Sequence, residues 1–238
     1  MDPVLIVTGT ALAMILAERL APAVEQPRVP YWIPRVIALN LAQVGVVYLG
    51  ALTWDRWLPA LRMWDGEMFG RWVGVAIGYL AITFVYYWWH RARHESRFLW
   101  RWLHQVHHSP ARIEVLTSFY KHPLEIAANG VLSSAILHVL AGLSAPTAVI
   151  VVTITGLAEL VYHCNLRTPY WLGFLFQRPE SHRRHHERSI HRGNYSDLPL
   201  WDMLFGTFDN PRDVPAECGF GANRENQLLR MLAGRHPK

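Results

Sequence analysis

Five long apolar runs constrain this chain before any single residue does. Residues 4–24 are apolar except for Thr8, Thr10, Glu18 and Arg19, residues 36–52 are strongly interrupted only by Asn40 and Gln43, and residues 73–89 carry no charge. Two further runs, 126–143 and 145–161, are separated near Ser144 and Pro146. A helix of about 17–25 such residues covers the hydrocarbon layer of a bilayer. Only 17% of the residues are charged and 51% are hydrophobic, against about 25% charged in an average soluble domain. The pattern predicts an all-α fold, an integral membrane helical bundle of about four to five membrane helices. Its last two runs form either two crossings or a re-entrant hairpin. The first run is expected to be a retained helix and not a cleaved signal peptide, because Met1-Asp2-Pro3 supplies no basic lead. No linker, repeat or low-complexity tract divides the chain, so residues 1–238 are expected to form a single membrane-embedded domain.

The motif His-x-x-His-His occurs twice, at His104/His107/His108 and at His182/His185/His186, and a pair, His90/His94, precedes the first. Helical residues three and four apart share a face, so each box aims its imidazoles at one point. With 13 histidines in 238 residues, the five-residue pattern is expected by chance far less than once. The boxes predict a metal centre. Eight imidazoles exceed the roughly four ligands of structural zinc and the roughly six of an octahedral ion, so two ions sharing the set is the simpler reading. All-imidazole ligation suits iron, zinc, copper or nickel. Cys164 and Cys218 define neither a disulfide framework nor a zinc spacing.

Charge sets the expected orientation. Residues 91–122 hold six basic and two acidic residues, and the stretch from Arg167 onward holds eleven and eight. Both box-bearing stretches therefore belong on the basic face, which the positive-inside rule assigns to the cytoplasm. The boxes are expected on a cytoplasmic helical cap. The net charge of +5 is read as contact with anionic headgroups. Nucleic acid is excluded as a partner because no recognised motif for it is present. Nucleophile elbows, phosphate loops and dinucleotide fingerprints are absent too, so the chain shows no recognisable nicotinamide or flavin site.

The stretch from Tyr86 to Glu125, with its three upstream box elements and His122-Pro123, and the stretch from His182 to Phe208, closing on Trp201-Asp202 and Phe205-Gly206-Thr207, together resemble the fatty acid hydroxylase / sterol desaturase superfamily. The resemblance covers about residues 80–210. It implies a di-metal centre, usually two iron ions (zinc being a possible replacement in isolated protein), with O2 as co-substrate. It also implies a lipid-like substrate and an external electron donor, a ferredoxin or a cytochrome b5-like protein with its reductase. By position, His90, His94, His104, His107, His108, His182, His185 and His186 match the family's ligands. His163 matches a further histidine before the last box, and His122 matches the His-Pro position. Asn194 and Asp202 are expected to support ligands by hydrogen bonds, and His191 to stand behind them.

Two departures from the family pattern stand out. Arg192-Gly193-Asn194-Tyr195-Ser196 replaces an Asp-x-Asn-Tyr-Gly, and Glu159 stands where some members carry another histidine. An acid inside an apolar run is costly unless partnered. Glu159 lies four residues before His163, so it is expected to bind metal, to hold the second nitrogen of His163, or to bond a neighbouring helix. Arg91, Arg93, Arg97, Arg101, Arg183, Arg184 and Arg188 could form a docking patch for an acidic donor or meet lipid phosphates. Zinc has no redox chemistry, so an oxidase with this centre needs a redox-active metal, which iron is. Hydroxylation of a lipid or sterol-like C–H bond is the first reading. Desaturation, carotenoid hydroxylation and a non-catalytic membrane metal-binding protein are the alternatives.

Overall fold

A computed structural model describes residues 3–215 and 217–238. Among these residues the regular structure is helical, with one isolated bridge pairing Glu187 with Cys218. The helices are α1 (Pro3–Leu20), α2 (Trp32–Leu52), α3 (Trp54–Trp57), α4 (Arg71–Glu95), α5 (Arg97–Leu99), α6 (Gln105–His108), α7 (Pro123–Ser134), α8 (Ala145–His163), α9 (Pro179–His185), α10 (Pro199–Leu204), α11 (Ala222–Glu225) and α12 (Leu228–Leu232). Among the described residues four stretches are long and apolar enough to cross a membrane: Trp32–Leu61, Arg71–Glu95, Pro123–Leu140 and Ala145–His163. The first apolar run forms α1, which packs along α8.

The apolar runs become helices that end where the sequence breaks them. Ser144 starts α8 with Pro146 in its first turn, where a missing N–H costs nothing. The turn before it passes through Gly142 at φ 62°, a left-handed conformation that favours glycine. The last two runs thus form two helical stretches joined by a tight turn, each long enough to cross. At the far end of α2 the indole of Trp54 lies between Gly50 and Gly130; a Cβ at Gly130 would come within 2.9 Å of that ring. This close approach lets α2 pack along α7.

Helix order gives the molecule two ends. The C-terminal ends of α1, α4 and α8 and the N-terminal ends of α2 and α7 meet at one of them. Towards the other end, Val75, Ile82, Ile136, Leu137, Leu143 and Val151 form an apolar core between α4, α8 and the π-helical stretch Ala135–Leu140 that continues α7. Outward-facing residues such as Leu12, Leu41, Val44, Leu80 and Val149 stay exposed, as a lipid-facing surface requires. At the first end the connections fold into a cap. Trp32, Val36 and Leu39 of α2 pack there against Val106, Tyr120 and Met231 of α12. Trp32 also donates its indole N–H to Glu114 at 2.6 Å.

Glu18, the interruption in the first apolar run, ties the membrane helices to this cap. It is buried, and its Oε2 accepts the backbone N–H of Val115 at 3.1 Å and of Asn165 at 3.0 Å. An unsatisfied buried donor costs about 1–3 kcal/mol. Glu18→Ala is therefore expected to lower stability by roughly 2–4 kcal/mol, and Glu18→Gln, which keeps an acceptor, by clearly less. Thermal unfolding in detergent micelles checks this; equal melting temperatures for wild type and Glu18→Ala would refute it.

Candidate metal centre

The two boxes do not each serve one site. Five histidines, His90, His94, His104, His108 and His185, present one nitrogen each within 4.8 Å of one another. Four others, His107, His163, His182 and His186, do the same. Helical spacing explains the division. Within each box the i, i+4 pair (His104/His108, His182/His186) serves one cluster, and the i+3 residue (His107, His185) turns to the other. His90 and His94 form a further i, i+4 pair near the end of α4, and His163 closes α8. The clusters adjoin: His108 and His186, one from each, stack with ring centroids 4.1 Å apart. The first box leaves a π-helical turn, Trp100–His104, before α6 begins. Such turns re-aim side chains and are frequent at functional sites.

Partners behind the rings fix which nitrogen faces inward. His90 Nδ1–H donates to the Tyr195 carbonyl at 2.8 Å, His163 Nδ1–H to the Glu159 carbonyl at 2.9 Å, and His185 Nδ1–H to the Gly193 carbonyl at 2.6 Å. His104 Nδ1–H donates to Glu125 Oε1 at 2.9 Å. His107 Nδ1 points at the Tyr120 carbonyl at 3.4 Å. A proton held on Nδ1 leaves a lone pair on Nε2. The Nε2 atoms of His90 and His104 nevertheless lie 3.0 Å apart, and those of His107 and His163 lie 3.4 Å apart. With no proton between them, these are facing lone pairs, which repel unless a cation sits among them. His94 Nε2 and His185 Nε2 are buried with no hydrogen-bond partner. The donor set therefore fits metal ions.

Spacing bears on which ion. Two nitrogens about 2.1 Å from one ion lie about 3.0 Å apart at a right angle and about 3.4 Å apart at a tetrahedral angle. His104 lies 3.0 Å from His90 and 3.1 Å from His108, and His182 lies 3.0 Å from His163 and 3.1 Å from His186. These separations match a right angle, and the 3.4 Å between His107 and His163 matches a tetrahedral one, so both geometries are represented. Burial, followed by neighbouring positive groups, holds His104, His107, His108, His182 and His186 well below the ordinary histidine pKa. His185 is pushed down to about 3, chiefly by burial. The imidazoles outside the membrane helices are thus neutral near pH 7, the form that binds metal.

The remaining expected residues fall into different places. His122 joins neither cluster. Its Nδ1 accepts the Leu124 N–H as the N-cap of α7, and its Nε2–H donates to the Leu232 carbonyl at 3.1 Å. A ligand role expected for it has no nitrogen left to serve it. Glu159 meets His163 through its backbone carbonyl, while its carboxylate pairs with Lys121. His191 Nδ1 lies 3.2 Å from His108 Nδ1 and can accept its proton; burial lowers its own pKa to about 4. Asp202 accepts the N–H groups of Tyr195 and Ser196 and the Thr207 hydroxyl, holding the strand of loop whose Tyr195 carbonyl orients His90. Asn194 sits at φ 51° and bonds Ser181 and Asp209 backbone groups. Of the arginines expected to form a docking patch, Arg93 and Arg183 are buried, so that patch reduces to exposed members such as Arg97, Arg101 and Arg188.

Sequence reasoning passed over Glu125. It is fully buried, binds His104 and pairs with Arg93, itself buried. The available signal was the one that singled out Glu159: an acid at the mouth of an apolar run. A cavity of about 250 Å³ reaches these groups, bounded at its inner end by His90, His104, His107, His163 and His182 and at its outer end by Val47 of α2 and Val152 and Gly156 of α8. Histidine ligands with a carboxylate on the second nitrogen lose roughly 10–100-fold in metal affinity when it is removed. Glu125→Gln is expected to do the same to the five-histidine cluster in chelator-competition measurements. Unchanged affinity would show that Glu125 does not orient His104.

Comparison with known proteins fits this geometry. The family model described as Fatty acid hydroxylase matches residues 75–207. Ornithine lipid hydroxylase OlsE of Rhizobium tropici is 34% identical over 206 residues, covering 84% of this chain and 57% of that protein. Alkylglycerol monooxygenase of Caenorhabditis elegans is 28% identical over 191 residues, covering 76% of this chain and 36% of its own. Sphingolipid C4-hydroxylase sur2 of Schizosaccharomyces pombe is 29% identical over 136 residues, covering 55% of this chain and 46% of its own. The chain thus spans between about a third and three fifths of these relatives. No solved structure matches.

Proposed function

The chain belongs to the fatty acid hydroxylase family, and on that premise we propose that it is an integral membrane oxidoreductase that hydroxylates a C–H bond of a lipid. The observation that carries this reading is the placement of five of the nine converging histidines, from both clusters, at the inner end of a cavity that opens between apolar helices. His90, His94, His104, His108 and His185 would hold one iron ion, and His107, His163, His182 and His186 a second. When bound, the pair would supply the redox chemistry that activates O2, with electrons delivered by a separate protein. The chain's own groups orient and enclose. Tyr195, Gly193 and Glu159 carbonyls and the Glu125 carboxylate keep the inward nitrogens unprotonated. The buried setting excludes bulk water, and the helices around the mouth admit an acyl chain directly from the bilayer. We read residues 1–238 as one such domain.

The cap carries the basic excess, so we place it on the cytoplasmic side, where exposed Arg97, Arg101 and Arg188 would meet an acidic ferredoxin or cytochrome b5-like donor. A cysteine introduced at Arg101 should react in intact cells only with membrane-permeant thiol reagents. Labelling by an impermeant reagent would reverse the orientation.

The catalytic reading is tested by lipid mass spectrometry of cells expressing wild type or His185→Ala under 18-O2. A wild-type product heavier by one labelled oxygen is expected, with turnover lost in His185→Ala and iron content lowered while membrane insertion persists. Full activity in the variant would refute the ligand assignment. A product lighter by two hydrogens would make the enzyme a desaturase.

A further inference from the structure

The wall of the cavity is not what a bare hydrocarbon substrate would select. Between the histidines and the apolar mouth stand Lys121 and Glu159, paired with each other, and Asp197. Arg93 and Glu125 border the same space, and Glu125 Oε2 is buried without a hydrogen-bond partner. Ionised groups at membrane depth are costly and persist where they meet a partner or a substrate. An acyl chain lying against Lys121 and Glu159 would strip their water and return no hydrogen bond, an arrangement that costs free energy. A polar group would satisfy them. Among the described hydrogen bonds, the Lys121 ammonium makes one, to Glu159 Oε1, and it carries three donors.

Charge balance narrows the class of ligand. Each cation of this wall is already paired, Arg93 with Glu125 and Lys121 with Glu159. Neither is left over to neutralise a phosphate. A hydroxyl, amide or amine would find both donors and acceptors. The volume fits a part of a lipid: about 250 Å³ is below the roughly 300–1,000 Å³ of sites that enclose a whole small molecule. The rest of the lipid must extend outward past Val47, Val152 and Gly156.

We propose that Lys121, Glu159 and Asp197 form a subsite for a neutral or cationic hydrogen-bonding group of a polar lipid, which places oxidation near that group and not in mid-chain. The proposal rests on the lipid-oxidase reading for its second half and on the cavity alone for its first. Glu159 and His163 are one helical turn apart, about 6 Å along the axis. A polar group held at Glu159 therefore puts carbons on the order of five bonds or fewer away beside the histidines.

The experiment uses the full-length, iron-loaded protein in phosphatidylcholine nanodiscs. Two probes are compared, a long-chain N-acyl amino alcohol and an alkane of the same chain length, first for binding and then for turnover under 18-O2. Wild type is expected to bind the polar probe at least tenfold more tightly. Lys121→Met combined with Glu159→Gln, which removes both charges together, should reduce that preference to about twofold or less at unchanged iron content. Asp197→Asn, a milder change, should weaken it too and serves if the double variant does not fold. Equal affinity of wild type for the two probes would overturn the subsite. Labelled oxygen within about five bonds of the amide or hydroxyl supports the placement. A label in mid-chain overturns the placement and leaves lipid oxidation standing. A clear polar preference with no label in any lipid defeats the oxidase reading and leaves the subsite intact.

Discussion

The structure is organised around a repulsion. Nine converging imidazoles turn one nitrogen each towards two points, and the lone pairs of His90 and His104 approach to 3.0 Å without a proton between them. Left alone, such an arrangement would spread or rehydrate. It is held by groups that fix the opposite side of each ring, and these come from every part of the cap. The Tyr195 and Gly193 carbonyls belong to the loop pinned by Asp202 and Asn194, and the Glu159 carbonyl belongs to α8. Glu125 comes from the first turn of α7. The cap is thus a frame for ring orientation, and its burial keeps the rings neutral enough to act as ligands.

That requirement explains why the boxes are divided. A single His-x-x-His-His turn offers two directions, one shared by the i, i+4 pair and one by the i+3 residue. Two such turns packed together can build two sites only if each lends its odd residue to the other. The stacking of His108 on His186 is the contact this exchange produces. The clusters are consequently interlocked: displacing α9 would strip His185 from one cluster and His182 and His186 from the other, so the two sites should form and dissolve together.

Much of this was legible in the sequence, for definable reasons. Apolar runs mark helices because the lipid face and the packed face are both apolar, and the break at Ser144-Ala145-Pro146 is set by local chemistry that needs no tertiary context. Box membership was legible because helical spacing is periodic. Partnership was not. Glu125 lies 21 residues from the His104 it holds, and Tyr195 lies 105 from His90; no periodicity encodes such distances. His122 illustrates the opposite error. Its place beside Pro123 matches a family position, yet in three dimensions it caps α7 and clips α12 to the cap.

Glu159 shows how an apolar run can conceal two functions in one residue. Its backbone carbonyl orients His163, which any residue at that position of α8 could do. Its side chain is therefore free to differ, and it pairs with Lys121 beside the cavity. Because the orienting role is carried by the main chain, substitution of the side chain should leave the ligand in place and alter only what the cavity admits. The same separation holds for Lys121, which follows Tyr120, whose carbonyl faces His107. Main-chain carbonyls of Glu159 and Tyr120 face the clustered histidines, and the side chains of Glu159 and Lys121 face the cavity. A scaffold built this way can change what its cavity admits without disturbing its histidines.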